Sequence, residues 1–367
     1  MRLNFRKIYL GRFDWVLIIS VLLLIVMGMS AIYSVDLSNG SELLLFKKQM
    51  IALLIGFALL FAAGFTQQNF FRATAKWWYV GSLLLLVLVL FAGQSIRGTT
   101  GWFVFAGFSF QPVEFAKVGL ILMMAYIITH FGRRFERPLF FFGTLIVTLI
   151  MMALIMMQPD LGSALIVGSI WFALMILIGA RKLFVVGLTM CGILLAVFAW
   201  FFLLHDYQKD RITTFINPEK DKLMAGYNVY QSTIAVGSGK VFGRGLGYGS
   251  QSQLRFLPET QTDFIFSVIG EELGLVGVSI LLILYVIILW RILLIIKNNT
   301  DDFSAVVASG VFILFLSQFI VNVGANIGLL PVTGVTLPFV SYGGSSLIMN
   351  LLLIGILESM VSRGSGG

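Results

Sequence analysis

Charged residues are scarce in this sequence, and their scarcity excludes an ordinary soluble fold. Only 11% of the 367 residues are Asp, Glu, Lys or Arg, whereas 59% are hydrophobic, and the mean hydropathy is +0.97. Soluble domains carry about 25% charged residues. The composition therefore indicates an integral membrane protein.

Cysteine and histidine are nearly absent, which argues against a zinc-type site. Cys191 is the single cysteine and cannot form an internal disulfide, and the two histidines, His130 and His205, lie far apart in the sequence. Structural zinc needs several such ligands close together. The net charge of +8 does not indicate a nucleic-acid partner, because the basic residues lie mainly in short loops between apolar runs.

Ten apolar runs are long enough to cross a bilayer, which needs about 20 residues. They lie at about 15–35, 49–65, 77–93, 112–131, 138–157, 161–179, 183–204, 264–296, 304–324 and 342–361. We therefore predict an all-α integral membrane protein, a polytopic bundle of about ten transmembrane helices. Residues 1–363 are expected to form one domain and residues 364–367 a linker. The run 264–296 is long enough to tilt or kink.

Lysine and arginine predict the orientation of these spans. If the N-terminus is cytoplasmic, the short outer loops hold only Lys47, Lys48 and Arg97, and most other basic residues lie inside. Both termini are then cytoplasmic, and the long loop 205–263 is extracytoplasmic. The basic N-terminus has no small-residue cleavage site before the first run, so that run is predicted to be an uncleaved span.

Several carboxylates lie in or beside the eighth predicted span, where a charge is costly and usually functional. Asp263 lies at the junction of the long loop and this span, and Glu271 and Glu272 follow within it. Arg255 and Glu259 precede Asp263, and we expect all five residues to converge. A partly buried carboxylate there is expected to have the raised pKa of a general base. The alternative is that Asp263 only caps the helix.

Two further polar groups lie at predicted outer ends of spans. Glu114 and Lys117 are three residues apart at the start of the fourth span, so they share a helix face and can pair. This pair either holds helices together or forms the wall of a site. Asp160, in the tight turn 158–162, either caps the following helix or holds its carboxylate near the other outer groups.

The glycine-rich stretch 237–249 is not a phosphate-binding P-loop. Ile234 occupies the place of the upstream glycine, and Val241 replaces the Ser or Thr that would hold magnesium. The spacing also fails the dinucleotide fingerprint. We predict instead that these glycines allow the backbone to approach another segment or a ligand phosphate closely.

The stretch 330–346 predicts irregular backbone leading into the last span. Irregular backbone at membrane depth persists only where it packs in protein or lines a wet cavity. Ser341 in this stretch is therefore a candidate site residue. Residues 343–346 are either a helix-packing surface of small residues or part of the same site.

Four of these motifs, in this order, resemble the SEDS family of bacterial cell-wall synthesis (shape, elongation, division and sporulation), over nearly the whole chain. They are Gln111-Pro112-x-Glu114-x-x-Lys117, Gln158-Pro159-Asp160-Leu161-Gly162, Leu257-Pro258-Glu259-x-x-Thr262-Asp263-Phe264-Ile265-Phe266, and Pro331-Val332-Thr333-Gly334 through Ser341-Tyr342-Gly343-Gly344-Ser345-Ser346. The stretches 205–208 and 250–259 are similar to the elongation member of the family rather than to the division member. Many relatives carry an arginine before Trp102, where this chain has Gly101, and Arg97 is the nearest substitute.

The resemblance implies a peptidoglycan glycosyltransferase of the bacterial cytoplasmic (inner) membrane that polymerises lipid II outside the cell during elongation. Asp263 matches the family's essential aspartate and is expected to be the general base, with undecaprenyl diphosphate as the leaving group. The expected cavity residues are Glu114, Lys117, Asp160, Arg255, Glu259, Glu271 and Ser341. No cofactor is required by the resemblance, and Lys117, Arg255 or a divalent cation (Mg²⁺ or Mn²⁺) is expected to stabilise the diphosphate.

The implied partners are lipid II, the nascent glycan strand, a class B penicillin-binding protein, other membrane proteins of the elongation complex and membrane lipid, with no nucleic acid. Two other functions stay open. A lipid II flippase needs alternating access through the midplane, whereas a polymerase needs its carboxylate outside. A non-catalytic scaffold for the penicillin-binding protein would leave the polar cavity unexplained.

Overall fold

The computed structural model describes residues 13–38, 43–96, 98–105, 108–131, 137–202, 209, 225–254, 256–257 and 259–361. Over these residues the helices are α1 (Trp15–Ser38), α2 (Leu44–Phe65), α3 (Gln68–Ala92), α4 (Pro112–Phe131), α5 (Pro138–Met156), α6 (Leu161–Leu177), α7 (Lys182–Phe202), α8 (Ala225–Ser238), α9 (Ser250–Gln253), α10 (Ile265–Asn298), α11 (Asp302–Asn326) and α12 (Gly344–Val361). Three short strands form one antiparallel sheet: β1 (Gln94–Ile96), β2 (Thr99–Phe105) and β3 (Phe108–Phe110).

The predicted all-α membrane bundle is confirmed. A helix coincides with each of the ten predicted spans, namely α1 to α7 and α10 to α12. In the described part of the chain, 8 of these helices are long and apolar enough to cross a membrane, and α6 is a shorter apolar helix. The single domain over residues 1–363 stays a prediction, and the tail 364–367 lies outside the described residues.

Helix α12 lies at the centre of the bundle. Residues 345–360 of this helix are all buried, which is the pattern of a helix surrounded by others. Glycines let α2 approach it closely: a Cβ on Gly355 would lie 2.3 Å from the Leu60 carbonyl oxygen, and one on Gly56 would lie 2.5 Å from a Leu351 methyl carbon. The middle and second half of α12 are thereby packed closely against α2.

The sheet β1–β3 was not predicted from the sequence. It forms two antiparallel hairpins between α3 and α4, with Gln94 paired to Trp102 and Phe103 to Phe110. The segment is short and follows a long apolar span, so its alternating aromatic residues gave no separate signal. A Cβ on Gly344 would lie 3.0 Å from the Phe108 ring, which places the sheet against the start of α12.

Helix α10 is broken at Gly274, as its length suggested. Gly274 has φ 64° and ψ −161°, which is not helical. In an unbroken helix the carbonyls of residues 271 and 272 would accept from the amides of residues 275 and 276. Here they accept from the amides of Arg244 (3.0 Å) and Gly245 (3.0 Å), and the freed amides of residues 275 and 276 donate to the carbonyls of residues 240 (2.9 Å) and 241 (3.1 Å).

The predicted close backbone approach of the glycine-rich stretch is confirmed, and its neighbour is this break. A Cβ on Gly239 would lie 1.9 Å from the Gly270 carbonyl oxygen, and one on Gly243 would lie 2.0 Å from the Glu272 carbonyl oxygen. Side chains at these two positions would displace the loop backbone from α10. The loop therefore completes the hydrogen bonding of a discontinuous helix.

The opposite end of the bundle, which we name the Asp14 end, is held by charges. Arg291 Nε donates to Asp14 Oδ2 (2.6 Å), and the Asp14 amide donates to Glu358 Oε2 (2.9 Å). These contacts join the first residues of α1 to the last turns of α10 and α12. A second ion pair, Arg72–Asp301, joins α3 to the start of α11 at the same end.

Candidate functional site

Asp263 lies in a turn just before α10. The N-cap residue of α10 is Phe264, so the alternative that Asp263 is the helix N-cap is wrong. Glu259 begins the turn with φ 53°, a left-handed conformation that is costly for a residue other than glycine. Its carbonyl accepts from the Thr262 amide (3.1 Å), and its Oε2 accepts from the Thr262 hydroxyl (3.2 Å). The turn therefore folds Glu259 back onto Thr262, the residue before the partly exposed Asp263.

Two asparagines of α11 hold the backbone of Asp263. Asn322 Nδ2 donates to the Asp263 carbonyl oxygen at 3.1 Å, and Asn326 Nδ2 donates to the same atom at 2.8 Å. Sequence reasoning missed both residues. The signal was present, because two amides one turn apart inside an apolar span face the same side and need partners there.

The segment 331–346 packs against the same turn. The Ser341 hydroxyl donates to the Thr262 carbonyl (2.6 Å), and the Tyr342 amide donates to the Gln261 carbonyl (2.8 Å). Gln49 of α2 supports this contact, because its Nε2 donates to the Ser341 carbonyl (3.3 Å). The structure therefore brings Ser341 beside the residue that precedes Asp263.

Asp160 and the start of α4 lie around the same segment. Asp160 caps α6, since its carboxylate accepts from the Ser163 amide (2.9 Å) and hydroxyl (2.7 Å). It also accepts from Gln111 Nε2 (3.4 Å), and the Gln111 amide donates to the Ser345 hydroxyl (3.3 Å). Both interpretations of Asp160 are thus compatible: it is a helix cap, and it lies near other polar groups of the site.

Glu114 and Lys117 form the predicted ion pair. Lys117 Nζ lies 2.8 Å from Glu114 Oε1, and Lys117 and Glu114 are only 3% and 6% exposed. Both belong to α4, so this bond does not itself join two helices. A charge buried this deeply is stable only with a partner, and the pair lies one to two turns below Gln111.

Glu271 and Glu272 bond to a different group of residues. Glu271 accepts from the amides of Gln251 (2.8 Å) and Ser252 (3.0 Å) and so caps the first turn of α9. Glu272 accepts from the Ser34 hydroxyl, from Gln253 and from the Gly247 amide. Both lie eight or nine residues beyond Asp263, roughly 12–14 Å along a helix. Their hydrogen bonds fix the loop to α10, and a role for Glu271 in the cavity stays a prediction.

Arg255 lies outside the described residues, and so does Arg97. Gly101, where many relatives carry arginine, packs against Gln158: an added Cβ would lie 2.9 Å from its Oε1. Gln158 is itself buried and donates to the Leu86 carbonyl (3.2 Å). An arginine at position 101 would therefore require Gln158 to move.

The described residues offer little to a metal ion. No group of three or more His, Cys, Asp and Glu side chains is close enough to hold one within the described ranges. Mg²⁺ and Mn²⁺ prefer oxygen ligands, and Glu259 and Asp263 carry two carboxylates four residues apart in the sequence. A divalent cation stays a prediction, and no chemical step is derived through it.

The family model described as "Cell cycle protein" (FtsW, RodA and SpoVE) matches residues 12–365. The probable peptidoglycan glycosyltransferase FtsW of Geobacter metallireducens is 35% identical over 377 residues, which cover 100% of this chain and 98% of the relative. The peptidoglycan glycosyltransferase MrdB of Escherichia coli K12 is 36% identical over 357 residues (95% and 93%). Stage V sporulation protein E of Bacillus subtilis is 35% identical over 360 residues (95% and 97%).

Solved structures agree with these relatives. A chain from a peptidoglycan synthase complex, described as showing coordination of polymerization and crosslinking, superposes with a TM-score of 0.81 at 31% identity and covers 98% of this chain and 100% of that chain. The rod shape determining protein RodA of Thermus thermophilus gives a TM-score of 0.72 at 29% identity (97% and 98%). The chain therefore belongs to the family of FtsW, RodA and SpoVE, the SEDS proteins.

Proposed function

We propose that this multi-pass protein of the bacterial inner membrane is a peptidoglycan glycosyltransferase that polymerises lipid II, with Asp263 as its general base. Relatives named as peptidoglycan glycosyltransferases cover nearly the whole chain and support the reaction class. The assignment of Asp263 as the general base rests on the position of this residue. It is a partly exposed carboxylate whose backbone is held by α11 and whose turn is held by segment 331–346.

The reaction is a single displacement. Asp263 takes the proton from the 4-hydroxyl of the acceptor sugar, and that oxygen attacks the anomeric carbon of the donor sugar. The bond from this carbon to the diphosphate oxygen breaks, and undecaprenyl diphosphate leaves with inversion, as in base-assisted inverting glycosidases. The new glycosidic bond extends the glycan strand by one disaccharide unit, and one undecaprenyl diphosphate is released for each bond formed.

Helix N-termini favour the leaving diphosphate at this place. Helices α4 and α12 begin beside the turn of Asp263, a placement supported by the contacts of Gln111 with Ser345 and of Ser341 with Thr262. Each N-terminus carries a partial positive charge that stabilises an anion. Arg255 is a further candidate for this role. Lys117 is paired with Glu114 and is therefore proposed to shape the cavity floor.

The direct test is polymerisation of purified lipid II by the purified protein with a class B penicillin-binding protein, in the presence of moenomycin to silence classical glycosyltransferases. Asp263→Asn and Asp263→Ala should lower the rate by about 10²–10⁴-fold, the usual contribution of a general base. Asp301→Asn, which removes a carboxylate at the Asp14 end, is the matched control and should retain activity. Near-normal polymerisation by the Asp263 variants would remove Asp263 from the mechanism. Transport of lipid II across vesicles without any polymer would favour the flippase.

Three finer parts of the proposal need tests of their own. Elongation is proposed from the resemblance of residues 250–259, and we expect the gene to restore rod shape to cells lacking RodA but not division to cells lacking FtsW. The penicillin-binding protein is proposed as a stable partner because a similar chain occurs in a peptidoglycan synthase complex, and co-purification tests it. The extracytoplasmic site is tested by labelling the variant Leu246→Cys, at an exposed position of the glycine-rich stretch, from outside the cell.

A further inference from the structure

We propose that Asn322 and Asn326 are positioning residues for Asp263, holding its peptide carbonyl so that its carboxylate is aimed at the acceptor hydroxyl. This inference rests on the proposed function of Asp263. It is carried by the contacts of the two side-chain amides, and neither residue belongs to a motif identified from the sequence.

Both amides are deeply buried and converge on one atom. Asn322 is 2% exposed and Asn326 is 0% exposed, and they lie one helical turn apart on α11. Their Nδ2 atoms lie 3.1 Å and 2.8 Å from the Asp263 carbonyl oxygen. A carbonyl oxygen has two lone pairs, so these two donors satisfy it completely. The peptide group between Asp263 and Phe264 is therefore fixed from α11.

Asn326 also supplies the helix cap that the sequence of α10 lacks. The N-cap residue Phe264 makes no side-chain capping bond. Instead, Asn326 Oδ1 accepts from the Ser267 amide (3.2 Å) and hydroxyl (2.7 Å), which lie in the first turn of α10. One side-chain amide thus spans the helix start: its oxygen binds the helix, and its nitrogen binds the carbonyl just before it.

Asn322 extends the same clamp to the other wall of the site. Its Nδ2 has two hydrogens, and it donates to the Val335 carbonyl (2.9 Å) as well as to Asp263. Val335 belongs to the segment that carries Ser341, and Ser341 in turn donates to the Thr262 carbonyl (2.6 Å). The relative position of Asp263 and segment 331–346 is therefore set by Asn322.

The clamp acts on catalysis through backbone direction. With the peptide group after Asp263 fixed, its Cα–Cβ bond, and hence the carboxylate, has a defined direction. A displacement of about 1 Å at a reacting group lowers rates by about 10²-fold. The two asparagines therefore contribute to turnover without touching the substrate.

The test uses isosteric variants, because Asn→Asp keeps the side-chain volume and removes the donors. In its ionised form, the side chain of Asn326→Asp retains an acceptor for Ser267 but loses the hydrogen bond to Asp263 and adds a negative charge beside it. We expect kcat to fall about 10- to 100-fold with KM for lipid II changed by less than about twofold. The acid limb of the pH–rate profile should move to higher pH, since a nearby negative charge disfavours ionisation of the base. Asn322→Asp should act in the same direction.

Gln318→Met is the matched control, because Gln318 is a buried amide one turn before Asn322 on α11 whose Oε1 has no hydrogen-bond partner among the described residues. It should leave kcat and the pH profile unchanged. The pH profile is normalised to its own maximum, so it is measured independently of how much protein folds. An unchanged acid limb and unchanged kcat in both Asp variants, beside inactive Asp263→Asn, would overturn the positioning role and leave the base in place. Activity in Asp263→Asn would instead overturn the proposed function itself.

Discussion

The two ends of the bundle are held together by different chemistry. At the Asp14 end, charged side chains join regular helix ends, as in Arg291–Asp14 and Arg72–Asp301. At the end that carries Asp263, amide and hydroxyl side chains bind backbone carbonyls and amides of irregular segments, as Asn322 and Ser341 do. Ion pairs tolerate variation in geometry, whereas hydrogen bonds to a peptide group fix its direction.

Because of this difference, we expect changes at the two ends to affect stability and turnover differently. Helices α10, α11 and α12 each have one end near Asp263 and the other at the Asp14 end, where Arg291, Asp301 and Glu358 lie. A change at the Asp14 end should lower the free energy of unfolding while the folded protein keeps its activity. A change at the Asp263 end should lower turnover as well.

Gly274→Ala should have the largest effect. Its φ and ψ are open essentially to glycine alone, and an added Cβ would lie 2.2 Å from the Gly243 amide nitrogen. We expect the free energy of unfolding to fall by about 3 kcal/mol or more, with loss of turnover. Thermal unfolding of the purified protein in detergent measures this. Gly187→Ala on α7, where an added Cβ meets no described residue within 4 Å, is the control. Equal melting temperatures for the two variants would contradict the prediction.

Lys117→Met tests the Glu114–Lys117 pair, which is an exception to this comparison because it is a buried ion pair near the Asp263 end. It leaves Glu114 buried without its cation, which should cost about 3 kcal/mol, and turnover should also fall. The double variant Glu114→Gln/Lys117→Met removes both charges and should recover much of the stability but not the activity. If the double variant recovers both stability and activity, the pair is structural only, and a change near the Asp263 end need not lower turnover.

Arg291→Met should affect stability alone. It leaves Asp14 and Glu358 buried at the other end without the guanidinium. Because the Arg291 side chain is one-third exposed, we expect a loss of about 2 kcal/mol, below the full cost of a broken buried pair. Lipid II turnover per folded molecule should stay within about twofold of wild type, because distant sites that share no hydrogen-bond partner respond independently. A large fall in kcat would show that the two ends are coupled.

The Arg72–Asp301 pair should have the smallest effect. Burial raises the pKa of Asp301, but hydrogen bonds from Arg72 and Ser304 and the Arg72 charge outweigh it, so the pKa is lowered. The pair therefore stabilises the fold at pH values above the unfolded-state Asp pKa of about 3.9. This stabilisation is lost as the pH falls through the lower pKa that Asp301 has in the folded protein. Solvent screening of the partly exposed pair limits its contribution to the free energy of unfolding to about 0.5 kcal/mol. The difference in melting temperature between wild type and Arg72→Met should shrink below about pH 4. A difference that stays constant from neutral to acid pH would contradict this.

Local sequence patterns predicted what depends on neighbours in the chain. Apolar runs located all ten span helices, the three-residue spacing predicted the Glu114–Lys117 pair, and the tight turn predicted the Asp160 cap. Such features need only the periodicity of one helix. The glycine-rich stretch was also interpreted correctly as a site of close backbone approach, since glycine density signals it without naming the neighbour.

Contacts distant in sequence were not predictable in the same way. The cap of α10 comes from Asn326, 59 residues beyond Ser267, and Glu271 serves a helix that precedes it in the loop. Nothing near Asp263 or Glu271 in the sequence identifies these partners. A polar residue in an apolar span shows that a partner exists, but its identity follows from the three-dimensional arrangement of the helices.

At the break at Gly274, the backbone of the preceding loop bonds to α10, whereas side chains of the same loop are exposed. Phe242 is 83% exposed, yet the peptide groups around it form the hydrogen bonds that α10 lacks. An exposed side chain such as that of Phe242 is free to vary, whereas Gly243 is not, and the number of residues between 240 and 245 is fixed by the four bonds. Since these bonds form only when the loop meets the helix, residues 240–245 and the turns of α10 on either side of Gly274 depend on each other for their order.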